Sequence, residues 1–450
     1  MMTSRTTQSD APVRQNRLRF FILAVSVLGI IGILAVYSLR LNFPPIRSDG
    51  LGYYLYLPAA LIYHDLSLQS IAAVFTSGHI PDATPSLWKY SGPSLWENSS
   101  NYLIKYPMGE ALLMLPFFFS ACILAFVTNT PVDGFSPLFQ YMAACSGLFY
   151  ATVGCGILWK VLERHFRQNT ILIAMLGMVF GTNLFHYATY DSVFSHAYSF
   201  FLFSAFLYMV QRIYSEACGR YFICGGALAG LIIITRPTNG LWLLFGIFYG
   251  VDSLRALSDR LSFWKGHAIN VLYAALPCAG VISLQLLYWK VITGHFVVFS
   301  YRGEYFNFAS PEIFNVLFSV RKGLFFWSPI LLLVIPGLFY ERKGAREFFI
   351  PSLLFLPLNI YVISSWHSWF YGGSFGHRAF IESLPLFAIC FCSLYEGLSS
   401  FLWKRCMVLL TLCCMTLSTW LMLKYWTGVI PFDGTTWDYF VATFFTLLPP

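Results

Sequence analysis

Long apolar runs, separated by short basic blocks or longer polar stretches, set the rhythm of this chain. Runs at 18–40, 137–159, 170–188, 194–214, 220–235, 239–253, 268–290, 324–340, 347–364, 379–399 and 405–423 approach the ~20 residues that carry a helix across ~30 Å of hydrocarbon. They lack the sustained two-residue alternation of transmembrane barrel strands. The pattern predicts an all-α polytopic membrane protein with about 11 transmembrane helices in a single integral-membrane domain, 1–450. One further apolar run, 107–128, contains Pro107, Glu110 and Pro116, which suit interfacial or re-entrant helices better than a simple span.

Charge fixes the expected orientation. If 107–128 does not cross, the blocks Lys160–Arg167, Arg212/Arg220, Arg255/Arg260/Lys265, Arg342/Lys343/Arg346 and Lys404/Arg405 all fall on the side of the N-terminal arginines, which is the cytoplasmic side. This gives a cytoplasmic tail at 1–17 and a large first outer loop with interfacial helices at 41–136. It also gives outer loops at 291–323 and 365–378, an outer corner at 189–193 and an outer tail at 424–450. The run Leu18–Leu39 is too long for a signal-peptide core and no small-residue cleavage site follows it, so it reads as an uncleaved anchor. The expected home is a cell (inner) membrane, with the working face periplasmic or extracellular.

Composition narrows the classes further. Charged residues make up 11% of the chain, against about 25% in soluble domains. The net charge of +8 resides in blocks between spans, not in a stripe, so no nucleic-acid partner is expected; the lipid bilayer is. The eleven cysteines lie mostly in or beside apolar runs without CxxC spacing and read as small buried hydrophobes. No P-loop, Rossmann fingerprint, nucleophile elbow or HExxH helix is present.

Candidate chemistry collects in the outer segments. Asp49 stands among glycines and tyrosines in Ser48-Asp49-Gly50-Leu51-Gly52-Tyr53-Tyr54, either as a general base or anchor at the membrane face or as ordinary turn chemistry. Asp191, on the corner before Ser195-His196, could share a substrate or a divalent cation with Asp49, or could N-cap the following helix. Tyr301-Arg302-Gly303-Glu304 and Lys105 offer cations to a phosphate. Arg321 and Lys322 read as loop residues that meet lipid headgroups, and Arg236, before Pro237, as a structural break and weaker phosphate candidate. Trp366-His367-Ser368-Trp369 through Gly376-His377-Arg378 combines aromatics suited to sugar faces with an arginine at a span's edge, where a charge implies a partner. Glu382, four residues on, shares a helix face with Arg378, and an internal Arg–Glu pair with belt aromatics is the plainer alternative to a substrate-binding segment. His367 and His377 lack a third ligand at zinc-like spacing.

In order and in shared face, the segments Ser48-Asp49-Gly50…Tyr53-Tyr54…Leu57-Pro58, Lys105-Tyr106-Pro107-Met108-Gly109, Tyr190-Asp191…Ser195-His196-Ala197-Tyr198 and Gly372-Gly373-Ser374-Phe375-Gly376-His377-Arg378 resemble the GT-C superfamily of integral-membrane glycosyltransferases. Oligosaccharyltransferase catalytic subunits, protein O-mannosyltransferases and lipid A aminoarabinose transferases belong to it. The resemblance implies a polyprenyl-phosphate sugar donor, a glycan or lipid-linked acceptor, and inverting transfer to an acceptor hydroxyl. It implies an acidic residue of the first outer loop that acts on the acceptor, matching Asp49, and a second on the next corner, matching Asp191. A divalent cation, Mg or Mn, would fall to these two carboxylates. Tyr53, Tyr54, Lys105, His196, Arg302, Glu304, Trp366, His377 and Arg378 are the expected substrate-binding residues, with Arg302, Arg378 and Lys105 on the phosphate. The chain departs from several relatives in having one acidic residue in that loop instead of a pair, and in lacking a large C-terminal soluble domain. The alternative reading is a transporter or flippase for a lipid-linked glycan. Against it stand the absence of an internal repeat and the concentration of acidic residues in outer loops rather than at the bilayer midplane.

Overall fold

A computed structural model describes residues 11–38, 44–78, 80, 82–90 and 93–448. Parts of the expected tails and of the first outer loop, residues 1–10, 39–43 and 449–450, lie outside the described residues. The described residues are mostly helical; their only strands are a two-residue hairpin, Ser94–Leu95 with Tyr102–Leu103.

The chain opens with helix α1 (Ala11–Ser38) and then four short helices, α2 (Ser48–Tyr54), α3 (Tyr56–Leu61), α4 (Gln69–Ser77) and α5 (Pro85–Tyr90). Next come α6 (Gly109–Val127), α7 (Pro137–Leu162), α8 (Gln168–Phe180), α9 (Leu184–Thr189), α10 (Ser195–Glu216) and α11 (Gly219–Thr235). The second half contains α12 (Leu243–Phe248), α13 (Leu254–Gly266), α14 (Ala268–Thr293), α15 (Ile313–Phe318) and α16 (Leu324–Trp327). It closes with α17 (Val334–Gly344), α18 (Arg346–Ser364), α19 (Leu384–Gly397), α20 (Phe401–Trp426) and α21 (Trp437–Thr443).

Among the described residues, seven helices are long and apolar enough to cross a membrane: Asn16–Tyr37 within α1, α6, α7, α14, α18, Arg378–Gly397 and α20. The protein is therefore built as an all-α membrane protein, but the seven are not the eleven runs read from the sequence. The run 239–253 breaks into a 3-10 turn, Pro237–Trp242, followed by α12, and 324–340 divides between α16, a 3-10 turn at Pro329–Leu333, and α17. Pro237 and Pro329 each sit at the start of a 3-10 segment, where a missing N–H leaves no helical bond to lose. The run 170–188 stops at Gly181 and restarts as α9, with Thr182 Oγ1 accepting from the Leu184 amide (3.3 Å).

Ring and backbone contacts set the directions of the first long helices. Phe21 meets Trp159 and Tyr37 meets Tyr141, so α1 and α7 run antiparallel along most of their length. The α6 helix also runs antiparallel to α7, but from a different level. Tyr150, halfway along α7, donates to the Leu113 carbonyl in the first turns of α6, and Phe118 meets Phe139 near the start of α7. Although long enough to span, α6 therefore lies beside the N-terminal half of α7 only.

Close helix crossings depend on glycine. A methyl group on Gly226 of α11 would collide with the Ala274 carbonyl of α14, and one on Gly147 of α7 with the Ser192 carbonyl. The basic blocks gather at one end of the bundle. Arg17 bonds Asn169, the Arg167 amide donates to Glu396, and Lys404 faces the same recess. Asp49 and its partner Arg378 lie at the other end, beyond the C-terminus of α1.

Candidate functional site

The short helix α2 begins where Ser48 takes a left-handed backbone (φ 47°) and places Asp49 in its first turn, where a carboxylate complements exposed amide N–H groups. Gly50 lets the helix lie directly on the Val193 carbonyl, a contact that any side chain would obstruct. That seat brings the first loop against the corner between α9 and α10.

Asp49 Oδ2 pairs with Arg378 Nη2 at 2.9 Å, and Oδ1 accepts from the Tyr106 hydroxyl at 2.7 Å. Burial works to raise this carboxyl; Arg378, Lys105 and the Tyr106 hydrogen bond outweigh it and hold Asp49 below the usual carboxylate range. The same field acts in reverse on Tyr106, whose phenol burial and Asp49 push well above the usual value, so it stays a donor.

Around this pair lies a cavity of about 300 Å³. Asp49, Tyr53, Lys105, Tyr106, His196, Arg236, Tyr301, Glu304, Trp366, Tyr371 and Arg378 all line it. Lys105 Nζ pairs with Glu304 Oε1 at 2.5 Å and lies 5.0 Å from the centre of the Tyr301 ring. Arg236 Nη1 and His196 Nδ1 both meet Glu382 Oε1 at 3.0 Å. Three cations thus share the cavity with two carboxylates, and Glu382 braces it from behind. Two loops, 291–323 and 365–378, close the side. The Phe306 backbone bridges to Trp366, the Asn307 amide donates to the Ser365 carbonyl, and the His367 amide donates to that of Tyr305.

Of the expected site residues, Asp49, Tyr53, Lys105, His196, Glu304, Trp366 and Arg378 converge on this cavity. Four lie elsewhere. The Tyr54 hydroxyl donates to the Gly134 carbonyl (2.6 Å), inside an aromatic cluster with Phe118 and Phe135. Arg302 pairs with Glu97 (3.2 Å) and lies over Trp96, facing away. His377 is buried, its Nε2 3.1 Å from the Trp369 carbonyl; burial pushes it down to about 3.

Asp191 is the fourth, and it is neither a cavity residue nor an N-cap: Phe194 occupies the N-cap of α10, without a side-chain cap. Only 4% exposed, Asp191 takes Arg47 on Oδ1 (2.5 Å) and His186 on Oδ2 (2.9 Å). Trp426 donates its indole N–H to His186 Nδ1 (2.9 Å), so the ring proton sits on Nε2 and points at Asp191. Burial raises the Asp191 carboxyl, but Arg47 and His186 together hold it below the usual range. Both carboxylates of the expected Asp49–Asp191 cation site are therefore already engaged on each oxygen, Asp49 by Arg378 and the Tyr106 hydroxyl, Asp191 by Arg47 and His186. Among the described residues no group of three or more His, Cys, Asp or Glu side chains is arranged to hold a metal ion.

Three more expectations change. Arg378 pairs with Asp49, not with Glu382, because Arg378–Ser383 forms a 3-10 turn and does not continue as the regular helix that would align residues four apart. Arg321 makes a bidentate pair with Asp433 (2.8 Å twice) and stacks on Phe370, so its guanidinium is engaged within the protein. Lys322, 1% exposed, donates to the Ser374 and Phe432 carbonyls; burial pushes its ammonium down to about 7 against the pull of Asp433.

Tyr106, Tyr301, Tyr371 and Glu382 are cavity or bracing residues that the sequence did not assign to the site. Tyr106 and Tyr301 stand beside Lys105 and Arg302 in segments the sequence picks out, and Glu382 lies four residues past Arg378, so their neighbours pointed to them; Tyr371 is one tyrosine among many. No family model matches this chain, and no curated protein matches it.

Proposed function

We propose that this protein is an inverting glycosyltransferase that moves a sugar from a polyprenyl-phosphate donor to an acceptor hydroxyl at the outer face of a cell membrane. The observation that carries the reading is the convergence of Asp49, Lys105, Arg236 and Arg378 on one cavity, at the end of the bundle opposite the basic blocks. Under the positive-inside rule the basic end is cytoplasmic, which turns the cavity outward. A volume of about 300 Å³ is at the lower end of small-ligand sites and suits one sugar and its phosphate. The lipid tail would lie outside it.

In this reading Lys105, Arg236 and Arg378 hold the phosphate and stabilise the charge that gathers on it as the glycosidic oxygen departs. Charge-assisted hydrogen bonds of this kind are about twice as strong as neutral ones. Asp49 accepts the hydrogen bond of the acceptor hydroxyl and aims its oxygen at the anomeric carbon, and Trp366 and Tyr371 offer faces to the sugar.

The test is sugar transfer in nanodiscs with a panel of polyprenyl-phosphate sugars, comparing wild type with Asp49→Asn. Wild type is expected to turn over at least one donor, and the variant to lose on the order of 10²-fold or more in kcat while still binding donor lipid. Full activity in the variant, or no turnover with any donor, overturns the proposal.

A further inference from the structure

The hydrogen bonds of Asp49 raise the question of where the acceptor proton goes. Both carboxylate oxygens are already occupied, one by a guanidinium at 2.9 Å and one by a phenol at 2.7 Å. Such an anion orients a hydroxyl well but has little pull on its proton. A second group on the same wall is arranged differently. His196 heads α10, is 2% exposed, and lines the cavity with Asp49. Both of its polar contacts use Nδ1: Glu382 Oε1 at 3.0 Å and Arg236 Nη1 at 3.3 Å. Next to a carboxylate, Nδ1 carries the hydrogen and donates it, since Arg236 can satisfy the same carboxylate directly (3.0 Å). That fixes the tautomer and leaves the Nε2 lone pair, among the described residues, to whatever occupies the cavity.

Resting on the glycosyl-transfer reading above, we propose that His196 is the proton acceptor of the reaction and that Glu382 is its positioning residue. The acceptor oxygen bonds to the anomeric carbon as the bond from that carbon to the phosphate oxygen breaks, with the electron pair leaving on the polyprenyl phosphate. The hydroxyl proton passes to His196 Nε2, and Glu382 pairs with the imidazolium so formed. The buried carboxylate then has two functions: it neutralises Arg236 at rest and supports the charged ring in the transition state. The groups that face the ring and set its response to pH are Glu382, Arg236, Arg378, Asp49 and Tyr187, the last with its ring 5.1 Å away.

The experiment measures donor-lipid affinity and the pH dependence of kcat for wild type, His196→Gln and Glu382→Gln in nanodiscs. Wild type should show an acid limb in kcat. His196→Gln should lose on the order of 10²–10⁴-fold in kcat, bind donor lipid within about threefold of wild type, and lack the acid limb. Glu382→Gln keeps the base but withdraws its counter-charge, so its limb should move to lower pH and its kcat fall. A His196→Gln enzyme with wild-type kcat and an unchanged pH profile overturns the assignment. If that variant fails to fold, an unmoved acid limb in Glu382→Gln overturns it instead. Absence of turnover in wild type is a different result and overturns the glycosyl-transfer reading itself.

Discussion

Asp191 shows how residue type and role can separate. Its neighbourhood in the sequence, an acidic corner before a histidine, matched a catalytic pattern; its contacts are those of a bolt, with Arg47, His186 and Trp426 joining the first loop, the α9 corner and α20. Removing one partner of a buried pair strands the other charge, at about 3–5 kcal/mol. Asp191→Ala is therefore expected to lower thermal stability by that order, and Arg47→Met/Asp191→Leu together by clearly less. The pH dependence has a definite sign. The native carboxyl titrates below its unfolded value of about 3.9, so the pair's contribution is complete above that value and fades only as pH falls through the lower native one. The destabilisation by Asp191→Ala should thus be constant from pH 8 to pH 5, checked by detergent-phase thermal unfolding. Asp49 was legible from the sequence because it is the single carboxylate in a glycine–tyrosine loop. Its partner Arg378 was legible as a charge in need of one, but which acid it meets depends on a 3-10 turn that no spacing rule announces.

At the scale of elements, apolar length located most helices and failed where proline or a polar corner subdivides a run, as at Pro237, Gly181 and Pro329. Run length measures what could be buried in lipid; it does not report where the backbone bends. The site depends on one close crossing. Gly147 of α7 lies against the Ser192 carbonyl, in the corner that runs from Asp191 to His196 at the head of α10. Adding a methyl group there forces α7 and the corner apart, an overpacking cost of about 1–3 kcal/mol. Gly147→Ala is expected to lower both stability and transfer activity. Gly266→Ala, at a position with open space around it, should leave both near wild type. Equal behaviour of the two variants in unfolding and transfer assays would contradict the importance of this crossing.

For the whole molecule, the cavity's size and its surroundings complement each other. The loop that supplies Tyr301, Glu304 and Phe306 to the cavity also exposes Phe296, Val297, Phe299 and Phe308. In the glycosyl-transfer reading proposed above, the cavity takes the sugar phosphate and this apolar apron the polyprenyl chain, which cannot fit inside. Each apolar side chain that covers part of the lipid contributes about 1 kcal/mol, so replacing Phe296, Val297 and Phe299 with serine should raise KM for a long-chain donor on the order of a hundredfold. A donor with a chain of a few carbons should lose little. Comparing the two KM values checks it; equal changes would assign the apron to folding. Charge asymmetry and loop length in the sequence predict that segments 41–136, 291–323 and 365–378 share one face. They do not disclose that Asp49 of the first loop meets Arg378, because contact between distant segments is a property of helix packing.

The Asp49–Arg378 contact has a consequence for how the protein is made. Its carboxylate emerges from the ribosome early and its guanidinium only after most of the helices have been threaded into the bilayer. Until then Asp49 lacks its guanidinium partner and the cavity its far wall. If the protein is the glycosyltransferase proposed above, a nascent chain is expected to be inert toward lipid-linked sugar while it is still being inserted, and to become competent only when its closing segments dock.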